Sequence, residues 1–360
     1  MVNNLLIPNI PYAHKQIQEQ CFIFPITGLV LSNNESIKIG EIVFVNKKYL
    51  ENNILDKFLV LDPNYDKLFN NVKTFAIVDL SKYGDYKDLC KDGNNSLALQ
   101  ILKQTIGAIY ISIYIKKKKV DCERRIVISN KGLHEVDEGL NSYMAFYKGE
   151  YYLCPNEVDK MLFCTSSDFE LYNIKKFIRI LNKNYEEKSQ YEQKICKALE
   201  IIYSIYNESY SRERVIKWAI LLNYLFREDD DQNLESTDIG RKLRIIFNVI
   251  EEKKILENIP KYICPSSKKT KKISDIMIKI YSSVRNNLMQ GKIDFYTEYS
   301  VCNLEDMIIL KVTVIELLII MCDDKYIDNC KTIKDFNLFV EKKEAENIEK
   351  YKEFKKKKIR

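Results

Sequence analysis

Partway along this chain the spacing of its apolar residues changes, and that change limits the folds open to it. Up to about residue 155 the apolar runs are short, β-branched and aromatic. From about Ser167 they recur at helical spacing: Leu171, Ile174, Phe177 and Ile178; Ile195, Leu199 and Ile202; Val215, Ala219, Leu222 and Phe226; Ile273, Ile276, Met277, Ile280 and Val284. A period of two sends alternate side chains to opposite faces of a sheet, whereas a period of 3.6 stacks them on one face of a helix. The two patterns in succession predict an α+β protein. A β-rich N-terminal domain is expected over 1–165, an all-α helical bundle over 167–340, and a charged C-terminal tail over 341–360. At 360 residues the chain can build two separate cores.

In the first half, Phe22 to Leu31 and Ile37 to Asn46 read as strands. Ser32-Asn33-Asn34-Glu35 between them is turn chemistry, so these two runs are expected to pair as a hairpin. Further strands are expected at Phe75 to Leu80, Ala108 to Ile115, Arg125 to Ser129 and Tyr143 to Leu153, the last turning at Lys148-Gly149-Glu150. Ser96 to Thr105 has helical spacing and leads into the run Ala108 to Ile115, predicting a helix followed by a strand. In the second half, Glu228 to Asp231, Ile259-Pro260 and Cys264 to Ser267 mark loops. The long apolar stretch Met307 to Cys322 contains Lys311 and Glu316 and falls short of the ~20 residues that cross a bilayer, so it reads as a core helix. Over 341–360 the weak periodicity of Ile348, Tyr351 and Phe354 fits a frayed helix or a flexible tail.

Met1 to Gln16 lacks the basic start and apolar block of a secretory signal, so a cytoplasmic location is expected. The ten cysteines include no Cys-x-x-Cys pair and none beside a histidine, which argues against a zinc site. Cys196 and Cys322 sit among apolar neighbours as small buried hydrophobes do, and reduced thiols are expected. No metal or other cofactor is implied. The net charge of +6 is concentrated near the end, where residues 341–360 hold nine Lys or Arg against five Glu. Two basic runs remain that can meet phosphates, Lys116 to Lys119 and the cluster Lys268, Lys269, Lys271 and Lys272. The chain's richness in Lys, Asn, Ile and Tyr matches a coding bias, so its 24 tyrosines are little guide to base stacking.

Three segments of the helical half fall in a particular order. The first is Arg214 to Phe226, with Trp218, Ala219 and Leu225-Phe226; the second is Ser236 to Phe247, with Asp238, Ile239, Arg241 and Leu243; the third runs Ile280-Tyr-Ser-Ser-Val-Arg285-Asn286-Asn-Leu-Met-Gln290-Gly291. Together they resemble the Apea-like branch of the HEPN superfamily. That resemblance implies a HEPN-like helical bundle that pairs into a homodimer. The family's first segment carries a glutamate where this chain has Asn223, and its third carries a tyrosine one position away from Tyr281. Where the family's ribonucleases hold their catalytic histidine, this chain has Gln290.

In the family's metal-independent cleavage, as the resemblance implies it, a 2′-hydroxyl attacks the adjacent phosphate while histidine moves protons and arginine steadies the charge. Histidine suits this because it titrates near neutrality; such proton transfer contributes roughly 10² to 10⁴ in rate. A glutamine amide donates and accepts hydrogen bonds but exchanges no proton near pH 7. The two histidines, His14 and His134, both lie in the first half, and Lys292, Tyr281 and Tyr296 would titrate near pH 10 unless strongly shifted. The expected catalytic set Arg285, Asn286 and Gln290 is therefore degenerate. Asn286 and Gln290, four apart on one helix face, retain with Arg285 and Lys292 the donors that grip a phosphate or base edge, and Lys268, Lys269, Lys271 and Lys272 would add backbone contacts. The leading expectation is a non-cleaving HEPN-like protein that binds RNA or a protein partner, in a bacterial defence or stress system as the resemblance implies, with no membrane role. An active, divergent endoribonuclease and a purely structural dimerisation protein are the alternatives.

Overall fold

The computed structural model describes residues 20–32, 35–50, 72–80, 97–117, 126–128, 142–147, 150–155, 164–208, 211–229, 234–247, 273–283 and 304–359. The architecture is α+β, an antiparallel sheet in the N-terminal part followed by a helical C-terminal part. The described residues fall into two compact units. The first draws on Met1–Lys117, Cys122–Glu187 and Ile202–Asn207, and the second on Lys118–Asp121, Lys188–Ile201 and Glu208–Arg360.

The strands of the first unit are β1 (Gln20–Thr27), β2 (Leu29–Val30), β3 (Ser36–Ile39), β4 (Ile42–Asn46), β5 (Thr74–Asp79), β6 (Val127–Ile128), β7 (Ser142–Tyr147), β8 (Glu150–Pro155) and β9 (Cys164–Thr165). The main sheet has the order β3-β4-β5-β1-β7-β8, with β6 also beside β1; β2 and β9 form a separate parallel pair. β1 lies at the centre. One edge follows β5 from Cys21↔Asp79 to Ile26↔Thr74, and the other is divided between β7, up to Ile23, and β6, from Ile26. Pro25 falls in the gap between those two partners, where a residue with no N–H is tolerated.

The expected hairpin of Phe22–Leu31 with Ile37–Asn46 does not form. Ser32–Glu35 does turn, Glu35 N donating to Ser32 O at 3.0 Å, but the tight hairpin lies within the second run, where Ile39 pairs with Ile42 across Gly40-Glu41. Gly40 has φ +61°, the left-handed conformation that two-residue hairpin loops require. β4 then pairs with β5, and Gly28, at φ +87°, ends β1. The β7–β8 hairpin forms as expected, closing at Tyr147↔Glu150, and β5 occupies the run expected to be a strand.

The second correction concerns Ala108 to Ile115. It is helical, part of α1 (Leu97–Lys117). Ala108, Ile109, Tyr110, Ile111, Ser112, Ile113 and Tyr114 are all buried, so neither period shows in the run, and its β-branched residues alone suggested a strand. A helix apolar all round is buried all round. Among the described residues this helix, over Leu97–Lys116, passes the length and hydropathy test for a membrane span, yet most of it is buried inside the fold. Its polar groups are placed: Thr105 Oγ1 donates to Ile101 O at 2.9 Å, and Ser112 Oγ exchanges hydrogen bonds with the backbone of Glu170 at 2.6 and 2.9 Å.

Tyrosines secure β6 in this unit. Tyr110 Oη accepts from Ile126 N at 2.6 Å and donates to Ile126 O at 3.0 Å, while Tyr203 Oη accepts from Ile128 N at 3.2 Å. The Tyr110 ring stacks on Tyr206 with centroids 4.0 Å apart. Burial pushes the Tyr203 phenol up to about 12. A 3-10 turn, Leu171–Ile174, leads into α2 (Lys175–Leu181), which buries Phe177, Ile180 and Leu181.

The helices that follow are α3 (Gln190–Tyr206), whose residues from Ile202 onward belong to the first unit, then α4 (Ser211–Phe226), α5 (Ser236–Ile246), α6 (Ile273–Ser283), α7 (Leu304–Met321) and α8 (Ile333–Ile359). Of the periodic residues named from sequence, Ile174, Phe177, Ile195, Leu199, Ile202, Val215, Ala219, Leu222, Phe226, Met277 and Ile280 are buried, whereas Leu171, Ile178 and Ile276 are only partly so. α7 is a core helix, as expected, with Ile308 to Leu310, Val314, Ile315, Leu317 and Leu318 buried. Tyr191 ties the ends together, its hydroxyl donating to Met321 O at 2.9 Å and its ring meeting Phe336 of α8. Cys196, Cys322 and Cys330 are free and buried, and burial pushes the Cys196 and Cys330 thiols up to about 11. Over 341–360, where a frayed helix or flexible tail was expected, α8 continues as helix to Ile359, and Arg241 Nη1 meets Glu344 Oε2 at 2.6 Å.

Candidate functional site

The three sequence segments occupy three helices of the second unit. Arg214 to Phe226 lies in α4, Ser236 to Ile246 forms α5, and Ile280 to Ser283 ends the described part of α6. α6 packs along α5 and against α7, which in turn packs on α4. Helical period decides which residues hold this frame. Trp218, Leu225, Phe226, Ile239, Leu243 and Tyr281 are all buried.

The segments also touch through polar groups. Asn223 Nδ2 of α4 donates to the hydroxyl of Tyr281 on α6, which links the first segment to the third. Tyr281 is 1% exposed, and an amide satisfies its oxygen without bringing a charge into the core. Arg244 Nη2 meets Asp275 Oδ1 at 3.1 Å between α5 and α6; both side chains are more than half exposed, so this pair contributes little.

A second polar cluster lies where α4 ends. Asn337 of α8 is 2% exposed, and its Nδ2 donates to Phe226 O at 3.0 Å and Glu228 Oε1 at 2.7 Å. The Lys242 ammonium lies 5.4 Å from the Phe226 ring centroid. Burial holds the Lys242 amine below its ordinary value, opposed by the negative charges of Glu228, Glu341 and Asp238 and aided by Arg241. Sequence reasoning passed over both residues, although a signal existed: Lys242 is three positions from Ile239 and four from Ile246, and Asn337 four from Ile333 and three from Val340, so each shares the buried stripe of its helix.

Arg285, Asn286, Gln290 and Lys292 lie outside the described residues, as do Lys268, Lys269, Lys271 and Lys272; the described part of α6 ends at Ser283, two positions before Arg285. Lys116, at the end of α1, pairs with Glu170 at 3.0 Å. Among the described residues no group of three or more His, Cys, Asp or Glu side chains is placed to hold a metal ion. No protein-family model matches the chain, and neither a curated protein nor a solved structure is significantly similar to it.

Proposed function

We propose that the helical second unit is a HEPN-like domain that binds RNA without cleaving it. The observation that supports the family reading is the burial of Trp218, Leu225, Phe226, Ile239 and Leu243, the apolar residues of the first two segments, in the helical second unit. Gln290 carries the loss of cleavage. Its amide cannot take a proton from a 2′-hydroxyl or return one to the leaving oxygen, and both histidines of the chain, His14 and His134, lie far from it in sequence. Arg285 supplies charge for a phosphate, Asn286 and Gln290 supply neutral donors and acceptors, and the cations Lys268, Lys269, Lys271 and Lys272 lie just before α6 in sequence. A second copy of the chain is the partner this reading adds, paired through the helical domain in a defence or stress system.

The test incubates the purified full chain with mixed RNA alongside Arg285→Ala and Gln290→His. Retention of intact RNA, weakened by Arg285→Ala and by salt, is the expected result, and Gln290→His is expected to introduce cleavage. Cleavage by the unaltered protein that Arg285→Ala abolishes would make it an active ribonuclease and overturn the proposal. Failure to retain RNA would leave protein–protein interaction as the role of this domain.

A further inference from the structure

α8 remains helical to Ile359, well past the point where the second unit covers it. Phe336, Asn337 and Val340 are buried, and Arg241 meets Glu344 at 2.6 Å while Lys343 Nζ donates to Ile246 O at 3.4 Å. The next five residues, Ala345 to Glu349, are all exposed, which is more than a full turn open on every side. A helix without a neighbour gains nothing from packing, and one shorter than about 12–15 residues is marginal by itself in water. Of the six large hydrophobic side chains exposed among the described residues, three lie on α8. Phe339 rests edge-on against Tyr326, which leaves Leu338, 53% exposed, and Ile348, 49% exposed.

The order of charges along this helix is antisymmetric about Ile348. Counted outward from it, opposite signs stand at equal distances: Glu346 and Lys350, Glu344 and Lys352, Lys343 and Glu353, Glu341 and Lys355. At no distance out to Arg360 do two like charges match. By helical period Glu341, Glu344, Ala345, Tyr351, Lys352 and Lys355 occupy positions within about 60° of Ile348, so two of the four pairs belong to its face and the other two to the far side. Glu344 is already held by Arg241. Glu341 is exposed and makes no hydrogen bond or ion pair among the described residues, although its charge favours the protonated form of Lys242.

We propose that α8 pairs with α8 of a second copy of this chain, antiparallel about a two-fold axis at Ile348, with Ile348 against Ile348 and Glu341 opposite Lys355 of the partner subunit. A two-fold interface presents one patch to itself, so a self-complementary surface is what it requires. Antiparallel pairing sets each acidic position against a basic one, whereas parallel pairing would set like against like. A polyanion drawn to the cations of 350–360 would meet Glu341, Glu346 and Glu349 on the same helix, and pairing between copies uses both halves. The surface lies outside the three segments that carry the HEPN resemblance, and the inference does not rest on that reading.

Sedimentation equilibrium of the full chain tests it, with thermal melting of each variant to confirm an intact fold. The parent is expected to be a dimer, and Ile348→Asp, which sets two carboxylates together at the axis, to weaken it about 30-fold or more. Glu341→Lys makes two symmetry-related pairs repulsive and is expected to weaken the dimer about 10-fold, and adding Lys355→Glu to the same chain to restore it to within about 2-fold of the parent. Under oxidised glutathione, Ile348→Cys should crosslink to its own counterpart, while Asn347→Cys, about 100° around the helix, should crosslink no more than the parent. A dimer that Ile348→Asp leaves unchanged overturns the inference and leaves pairing elsewhere in the helical domain standing. So does a Lys355→Glu change that fails to rescue Glu341→Lys, or a parent that stays monomeric at about 100 µM. RNA retention weakened by Lys355→Glu with no change in oligomeric state would assign the helix to RNA and overturn it as well. Retention of RNA by monomeric Ile348→Asp keeps the HEPN-like reading separate from this one.

Discussion

Replacing Tyr110 by Phe removes one oxygen atom and leaves the rest of its environment in place. The ring is 1% exposed and stacked on Tyr206 at 4.0 Å, so phenylalanine keeps the shape and the stack. What it loses are both hydrogen bonds to Ile126, at 2.6 Å to its N–H and 3.0 Å to its carbonyl, on a residue that is itself fully buried. The carbonyl keeps a long contact from Asn207 Nδ2 at 3.4 Å. No other acceptor for the N–H comes from the described residues. A buried backbone group left without a partner costs about 1–3 kcal/mol, so the full cost for the N–H and a partial one for the carbonyl predict destabilisation of about 2–4 kcal/mol. Urea unfolding monitored through the first unit measures it, and amide exchange at Ile126 and Ile128 locates it. Tyr172→Phe is the control, since that ring is exposed and should change stability by less than about 0.5 kcal/mol. A Tyr110→Phe protein within about 0.5 kcal/mol of the parent would refute the role assigned to the hydroxyl.

Gly40→Ala meets open enough space, the added carbon lying 3.5 Å from its nearest neighbours, so its cost is the strain of φ +61° alone, about 1–2 kcal/mol by urea titration. At the start of α8, Asp335 accepts from the backbone N–H groups of Thr332 at 2.8 Å and Lys331 at 2.9 Å, a capping box whose loss in Asp335→Ala is expected to cost about 1 kcal/mol. Those N–H donors hold the Asp335 carboxyl below its ordinary value, so its contribution is complete above the unfolded value near pH 4 and disappears as pH falls through the lower folded value. The difference between parent and Asp335→Ala should therefore shrink in acid, and a constant difference from pH 7 to pH 2 would contradict this account. Cys196, Cys322 and Cys330 are buried, and the first and last have thiols raised to about 11, so peptide mapping should find all three alkylated at pH 8 only after denaturant is added.

The candidate site was legible in part. Its first two segments could be placed on helices because each carries a single apolar stripe, and Trp218, Phe226, Ile239 and Leu243 are buried where that stripe puts them. The bond from Asn223 to Tyr281 spans 58 positions and has no local signature, so only the folded chain brings it into view. Lys242 and Asn337 broke the stripes of their helices, and what makes them tolerable in a core, a carbonyl at the end of α4 and nearby carboxylates, comes from other elements.

By itself the sequence determined the helices that carry the stripes Ile195 to Ile202, Val215 to Phe226 and Ile276 to Ile280, that Met307 to Cys322 would be a core helix, and that Tyr143 to Leu153 would close on itself, because each depends on the period or turn chemistry of adjacent residues. Tertiary structure alone decided the rest. Ala108 to Ile115 has no polar residue spaced to reveal a period, and burial on every side made it helical. β1 found its partners in β5, β6 and β7 rather than in the next run, because strand pairing is chosen by which edges the whole sheet brings together, and a local turn at Ser32–Glu35 cannot specify that choice.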